Sequence, residues 1–191
     1  GMGLDERIGS RFLRAGPSYG GSCFPKDTKA LVSTGSSFKT NLSVVKSVVN
    51  SNNNRTKLLL NKIKSILNNK IKSKKITFLG VTFKPGTDDM RESSTLKMIP
   101  HLVKKGALIS YYEPTGPKSE FNLKNIKFYT NVKNACKNSD LIIIHTEWNE
   151  FKQLNFKKIV KKKNFKVFDM RNLYEPSEMK KSKINYFGIG R

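Results

Sequence analysis

The sequence predicts an α/β fold: an N-terminal helical segment with one long helix, followed by a parallel sheet covered by helices on both faces. Three observations predict it. A long stretch near the N-terminus repeats its apolar residues at helical spacing. After Lys74-Lys75 the texture changes, and short apolar runs alternate with amphipathic stretches. Each of those runs is apolar along its whole length rather than at every second position. A strand apolar on both faces must be covered on both, as in a parallel sheet wound through helices.

The elements follow in order. Residues 1–24 are rich in glycine and small residues and end in GPSYGGSCF. Pro25 opens a helical pattern that Gly35 is expected to close, since proline favours the first turn and glycine the exit. From about Asn41 to Asn69 a long amphipathic helix is predicted. Leu42, Val45, Val48 and Val49 start its stripe, and Leu58, Leu59, Ile63, Ile66 and Leu67 continue it. The Asn-rich patch at 50–54 is expected to weaken its middle, and a long two-faced helix outside a compact core often packs on another subunit. Strands are predicted at 76–83, 107–113, 126–129, 140–146, 165–170 and 184–190. Helices are predicted at 93–105, 131–138 and 149–162. Pro100 predicts a kink or a local break in the first of these, and Gly106 its end. The organisation is therefore a helical segment over 1–73 and a compact, Rossmann-like domain over 74–191. No internal repeat is visible.

Composition narrows the function classes. The 191 residues are 37% hydrophobic and 10% aromatic, enough for one real core with a helical extension and short for a two-domain enzyme. The net charge of +23 is in principle a nucleic-acid footprint. Lysine, however, outnumbers arginine 30 to 7, asparagine reaches 18, and the lysines spread along the whole chain. That is what an AT-rich genome writes on a tolerant surface, and it predicts no nucleic-acid partner. An anionic ligand such as a nucleotide diphosphate stays compatible with the charge. No run approaches the roughly 20 apolar residues of a membrane span, and the N-terminus lacks the apolar stretch of a secretory signal. Cys23 and Cys136 fit neither a disulfide framework nor a zinc site. His101 and His145 lack partners at metal spacing. A reduced cytoplasmic protein without a metal is the expectation, and Gly1 ahead of Met2 reads as a residue left by cloning.

One segment carries chemistry, PSYGGSCFPKD over 17–27. Gly20 and Gly21 permit close backbone approach or positive φ. Cys23 follows, and Pro25 starts the helix, so the thiol stands at a helix N-terminus where free N–H groups and the dipole favour an anion. The thiolate is the nucleophilic form of cysteine. Lys26 adds positive charge. Asp27 comes back towards the sulfur after one turn and could orient a water or hold a substrate hydroxyl. The same residues also describe a small cysteine at a tight turn, with Asp27 complementing the dipole.

LDERIGSRFLRAGPSYGGSCFPKDTKAL (4–31) resembles the catalytic-cysteine segment of the UDP-glucose/GDP-mannose dehydrogenase family. FLGVTFKPGTDDMRESSTLKMIPHLVKKGALISYYEP (78–114) resembles the start of that family's C-terminal, UDP-binding domain, and VFDMRN (167–172) is a third, shorter match. The Cys-Phe-Pro-Lys-Asp form is more like the UDP-glucose branch than the branch with His-Cys-Ile-Pro, and the GDP-mannose branch shares much of the pattern. The resemblance implies an enzyme that uses NAD to oxidise the C6 alcohol of a nucleotide sugar to a carboxylate through a thiohemiacetal and a thioester. It implies Cys23 as nucleophile and Asp27 as the carboxylate that helps activate water. It assigns Phe12, Leu13, Arg14, Tyr19 and Gly20 to the substrate site, and Arg7 to the substrate of a neighbouring subunit. Phe83 and Lys84 would lie over the UDP-sugar, Arg171 would contact it, and Lys26 and Arg91 would serve the cofactor. A homodimer through the long helix is the implied assembly.

Where such enzymes carry an NAD-binding domain with a GxGxxG turn, this chain has no such motif. The expectation is that it is the C-terminal portion of such an enzyme and inactive by itself. The alternatives are a nucleotide-sugar-binding module without catalysis and a GDP-mannose-type dehydrogenase.

Overall fold

A computed structural model describes residues 1–10 and 13–190. After a 3₁₀ turn at Met2–Leu4 come two helices, α1 over Phe24–Ser37 and α2 over Ser43–Ile66. Then come β1 (Lys75–Leu79), α3 (Thr95–Lys104), β2 (Leu108–Tyr112), β3 (Ile126–Phe128) and α4 (Val132–Cys136). The chain continues through β4 (Leu141–Ile144), α5 (Phe156–Ile159), β5 (Lys166–Asp169), α6 (Pro176–Lys181) and β6 (Asn185–Gly188). All neighbouring strands are parallel, in the order β3-β2-β1-β4-β5-β6. The register pairs Phe78 with Tyr111 on one side and with Ile143 on the other.

Successive strand residues point to opposite faces, and each face has its own core. Ile76, Phe78, Ile109, Leu141, Ile143 and Phe168 meet α3 through Met98, Ile99 and Leu102, and α2 through Leu59, Ile63 and Ile66. Leu79, Ile142, Ile144 and Val167 meet Phe151, Phe156 and Met179 on the other face. All four residues of β4 are fully buried, so the uninterrupted apolar run has the physical cause proposed for it. Burying each such side chain stabilises by roughly 1.5–3 kcal/mol. The C-terminal half of α2 is thus part of the sheet's core, while its N-terminal half reaches out to the cysteine segment.

Four elements differ from the sequence expectation. Gly35 does not end α1 but lies buried inside it, where a β-carbon would stand 2.6 Å from Leu42 Cδ1. Its missing side chain lets the chain turn tightly into α2. The Asn-rich patch does not weaken α2, which runs unbroken through it. Pro100 does not break α3, which continues to Lys104 with the proline exposed. Residues 149–162 form no single helix: a 3₁₀ turn at Asn149–Phe151 is followed by the short α5, whose N-cap Asn155 accepts from the Lys158 N–H. The preceding Leu154 N–H is held by the Tyr174 hydroxyl instead of by a helix carbonyl.

Candidate active site

The winding of the sheet reverses between β1 and β4, and in open α/β sheets the crevice outside the carboxyl ends of the strands at such a point receives ligands. Three loops rim it here, after β1, β4 and β5. Glu113, fully buried at the end of β2, shapes the first: its carboxylate accepts the N–H groups of Val81 (2.7 Å) and Thr82 (3.3 Å). Asp169, fully buried at the end of β5, shapes the third. It accepts the N–H groups of Arg171 (2.9 Å), Leu173 (2.7 Å) and Tyr174 (3.2 Å) and the Tyr186 hydroxyl (3.0 Å). Burial pushes this carboxyl above the usual carboxylate range, against the pull of those hydrogen bonds.

Arg171 closes the crevice from inside. Its Nε donates to the His145 carbonyl at 2.8 Å and its Nη2 to the Phe83 carbonyl at 3.0 Å. Glu147 Oε2 stands 2.9 Å from Nε as an ion partner, although that N–H is aimed at His145. Burial lowers the basicity of the guanidinium, and Glu147 and Asp169 oppose that. Nη1 faces Gly16, where a β-carbon would come within 2.9 Å. One part-buried arginine thus touches the loops after β1 and β4 and the segment leading to Cys23.

That segment is clamped between the crevice and α2. Gly21, at φ +85°, donates its N–H to the Arg91 carbonyl at 2.8 Å. Asn52 of α2 makes a two-way amide pair with Tyr19, accepting its N–H at 3.0 Å and donating to its carbonyl at 3.2 Å. Arg55 donates to the carbonyls of Pro17 (3.2 Å) and Gly16 (3.3 Å). Cys23 occupies the N-cap position of α1, exposed, with the Ser22 hydroxyl 3.6 Å from its sulfur. The other cysteine, Cys136, is buried in α4, and burial pushes its thiol up to about 12.

Beside Cys23 lies a cleft of about 780 Å³, a size typical of small-molecule sites. Lys26, Lys29, Arg91, Asn52, Ser94 and Lys97 are among its walls. Lys26 pairs with Asp27 at 2.5 Å, Lys29 with Glu92 at 3.2 Å and Arg91 with Asp89 at 2.8 Å. The hydrogen bond to Asp27 raises the Lys26 ammonium's pKa, and that to Asp89 raises the Arg91 guanidinium's. The hydrogen bond from Arg91 holds the Asp89 carboxyl below its ordinary value.

The structure therefore brings Tyr19, Gly20, Cys23, Lys26, Phe83, Arg91 and Arg171 into one region. Asp27 joins them on the same helical turn, with its carboxylate on Lys26 rather than on the sulfur. Lys84 is exposed, its ammonium over the Phe83 ring at 5.4 Å. Leu13 and Arg14 are exposed. Arg7 is exposed and paired with Asp5 at 2.7 Å, with no contact to these residues shown. Phe12 lies outside the described residues. Asn52, Glu113, His145 and Asp169 were not singled out for this region by sequence reasoning; their signal was positional, at strand ends and on the inner face of α2. Among the described residues no group of three or more His, Cys, Asp or Glu could hold a metal ion, and no helix is long and apolar enough to cross a membrane.

A six-stranded parallel sheet in this order, with its crevice at the β1/β4 switch and a cysteine loop docked beside it, defines a Rossmann-like domain of the dehydrogenase kind. The chain matches the UDP-binding domain of the UDP-glucose/GDP-mannose dehydrogenase family over residues 77–176 and that family's central domain over residues 1–54, and it belongs to this family. It is similar to UDP-glucose 6-dehydrogenase of Rickettsia prowazekii, 39% identical over all of this chain and 45% of that protein. It is also similar to UDP-glucose 6-dehydrogenase of Rhizobium meliloti, 40% identical over all of this chain and 44% of that protein. Among solved structures, a UDP-glucose dehydrogenase from Pyrobaculum islandicum superposes with a TM-score of 0.79 at 27% identity, covering 92% of this chain and 40% of that one. The chain thus spans about half the length of the curated relatives it matches.

Proposed function

We propose that this chain is the substrate-binding and nucleophile-bearing portion of an NAD-dependent dehydrogenase that oxidises UDP-glucose to UDP-glucuronate. The observation that carries the reading is Cys23: an exposed thiol at the start of a 14-residue helix, on a loop tied to Arg91 at the crevice. The cleft beside it fits a cofactor bearing phosphates, because Lys26 and Arg91 offer charge and Asn52 and Ser94 offer polar contacts. Bound NAD supplies the hydride-accepting chemistry for both oxidations. Cys23 adds its sulfur to the C6 aldehyde, holds that carbon as a thiohemiacetal and then as a thioester, and leaves when water cleaves the carbon–sulfur bond. A phosphate that takes Lys26 as its partner frees the Asp27 carboxylate to orient that water. Arg171 and Phe83 frame the nucleotide-sugar side, with Lys84, Gly20, Tyr19, Leu13 and Arg14 around it. Arg7 would serve a neighbouring subunit.

Calorimetry with UDP-glucose, UDP and GDP-mannose tests the substrate half of this reading. The expected order places UDP-glucose and UDP above GDP-mannose. Mixing the chain with UDP-glucose and NAD is expected to give no rise in NADH absorbance, because the cleft can hold part of the cofactor but the sequence has no GxGxxG turn to place its nicotinamide against C6. Preference for GDP-mannose, or NADH production by this chain alone, overturns the reading as stated. Homodimerisation through α2 is part of the proposal. Val44 (76% exposed) and Leu58 (58%) support it as apolar surface on that helix, and a monomer in sedimentation at micromolar concentration overturns it.

A further inference from the structure

A chain of four hydrogen-bonding groups runs from inside the crevice to the cleft beside Cys23. The Thr82 carbonyl can only accept, so the Thr146 hydroxyl, 2.7 Å away, donates to it. The hydroxyl proton of Thr146 is then spent, and its oxygen meets His145 Nδ1 at 3.2 Å as an acceptor. The His145 proton therefore sits on Nδ1. Nε2 is left as an acceptor, 2.8 Å from the Ser94 hydroxyl. The Ser94 proton turns inward to Nε2, which leaves the oxygen of this cleft-lining residue only lone pairs to offer. His145 is almost wholly buried (1% exposed), and the acceptor-only Thr82 carbonyl at the far end sets the direction of the whole chain.

We propose that Ser94 is an acceptor of fixed polarity in the wall of the cleft, set by the relay Ser94–His145–Thr146–Thr82, and that it reads a hydroxyl or amide N–H of the bound ligand. A ligand carbonyl or phosphate oxygen gains nothing at this point, whereas Lys26 and Arg91 on the same wall attract such oxygens. The cleft thus carries anion-binding groups and one donor-seeking oxygen side by side, a pattern that orients a ligand with phosphates at one end and a hydroxyl or carboxamide at the other. His145 is a positioning residue here, acting through Ser94. The ligand half of this proposal rests on the cofactor reading of the cleft; the relay does not.

Nitrogen-15 NMR of the intact chain tests the relay, with only two histidines to assign. The expected spectrum shows His145 neutral, protonated on Nδ1 and bare on Nε2. In Ser94→Ala the Nε2 signal is expected to move towards that of an unbonded ring nitrogen, and in Ser94→Thr to stay. An Nε2–H tautomer overturns the proposal, as does an Nε2 signal indifferent to Ser94→Ala. Titration with NADH then tests the ligand contact. NADH is expected to shift the signals of Lys26, Arg91, Ser94 and His145, and Ser94→Ala to weaken its binding about 2- to 12-fold, the equivalent of one net hydrogen bond. Movement of Lys26 and Arg91 without Ser94 and His145 overturns Ser94's role alone. If NADH moves none of the four, the cofactor reading of the cleft fails and takes the ligand half with it.

Discussion

Gly20 lies so close to Glu92 that a β-carbon on it would stand 2.7 Å from the Glu92 carbonyl oxygen and 3.0 Å from Phe83 Cβ. The cysteine segment docks on the crevice by backbone-to-backbone approach that no side chain permits. Gly20→Ala must push the loop away, because a main-chain carbonyl cannot swing aside as a flexible side chain does. We expect a loss of about 1–3 kcal/mol, the usual cost of overpacking, together with faster proteolysis within residues 16–23. A variant with wild-type urea midpoint and protease resistance would show that the loop is not docked as described.

Arg171 predicts strong coupling to Glu147. Arg171→Met leaves the His145 and Phe83 carbonyls without their donor and Glu147 without its cation, and is expected to cost at least about 2 kcal/mol. In Arg171→Met with Glu147→Gln the two losses should not add, giving an interaction energy of about 0.5–3 kcal/mol. Additivity within measurement error would mean that Glu147 gains nothing from the guanidinium.

The two thiols predict a two-phase reaction with a disulfide reagent. Cys23 is exposed and should react in the native state, whereas Cys136 is buried with its thiol held up at about 12 and should react only on unfolding. Cys23→Ser should remove the native phase and Cys136→Ser should leave it. Two equivalents of native reaction would contradict the burial of α4.

Burial, and next to it the charge of Arg171, holds the His145 ring well below the usual histidine range. Below about pH 6.5 the unfolded chain therefore takes up a proton that the folded chain refuses. This contribution to stability is complete above that pH and is lost as the pH falls through it. We expect a lower urea midpoint at about pH 5.5 than at about pH 7.5, with part of the difference missing in His145→Gln. An unchanged slope in the variant would assign the effect to other groups.

Much of the fold was legible because strands such as β4 are apolar on both faces and cannot be stable anywhere except between two layers. The cysteine loop was legible from the spacing of Gly20, Gly21, Cys23 and Pro25, because Gly21 takes a positive φ and Pro25 starts the helix within a few residues of the thiol. What holds that loop was not. Asn52 read as a weak point of a helix, yet its amide spans 33 positions to pair with Tyr19. Nothing local marks such a contact, since an asparagine that completes another segment's backbone looks like any exposed asparagine. Asp169 and Glu113 were hidden likewise: each is a single acid at the end of a predicted apolar strand, and only the folded loop supplies the N–H groups that each accepts. The helix expected over 149–162 failed for the same reason, because the Tyr174 hydroxyl, 20 positions away, captures the Leu154 N–H.

Among the described residues, the groups that grip the cysteine loop follow it along the polypeptide: Asn52 and Arg55 on α2, then Phe83, Arg91 and finally Arg171. The loop leaves the ribosome before these groups and acquires its shape after them. Order of synthesis and order of maturation run in opposite directions, so the thiol takes its place only when nearly the entire sheet has been translated and wound.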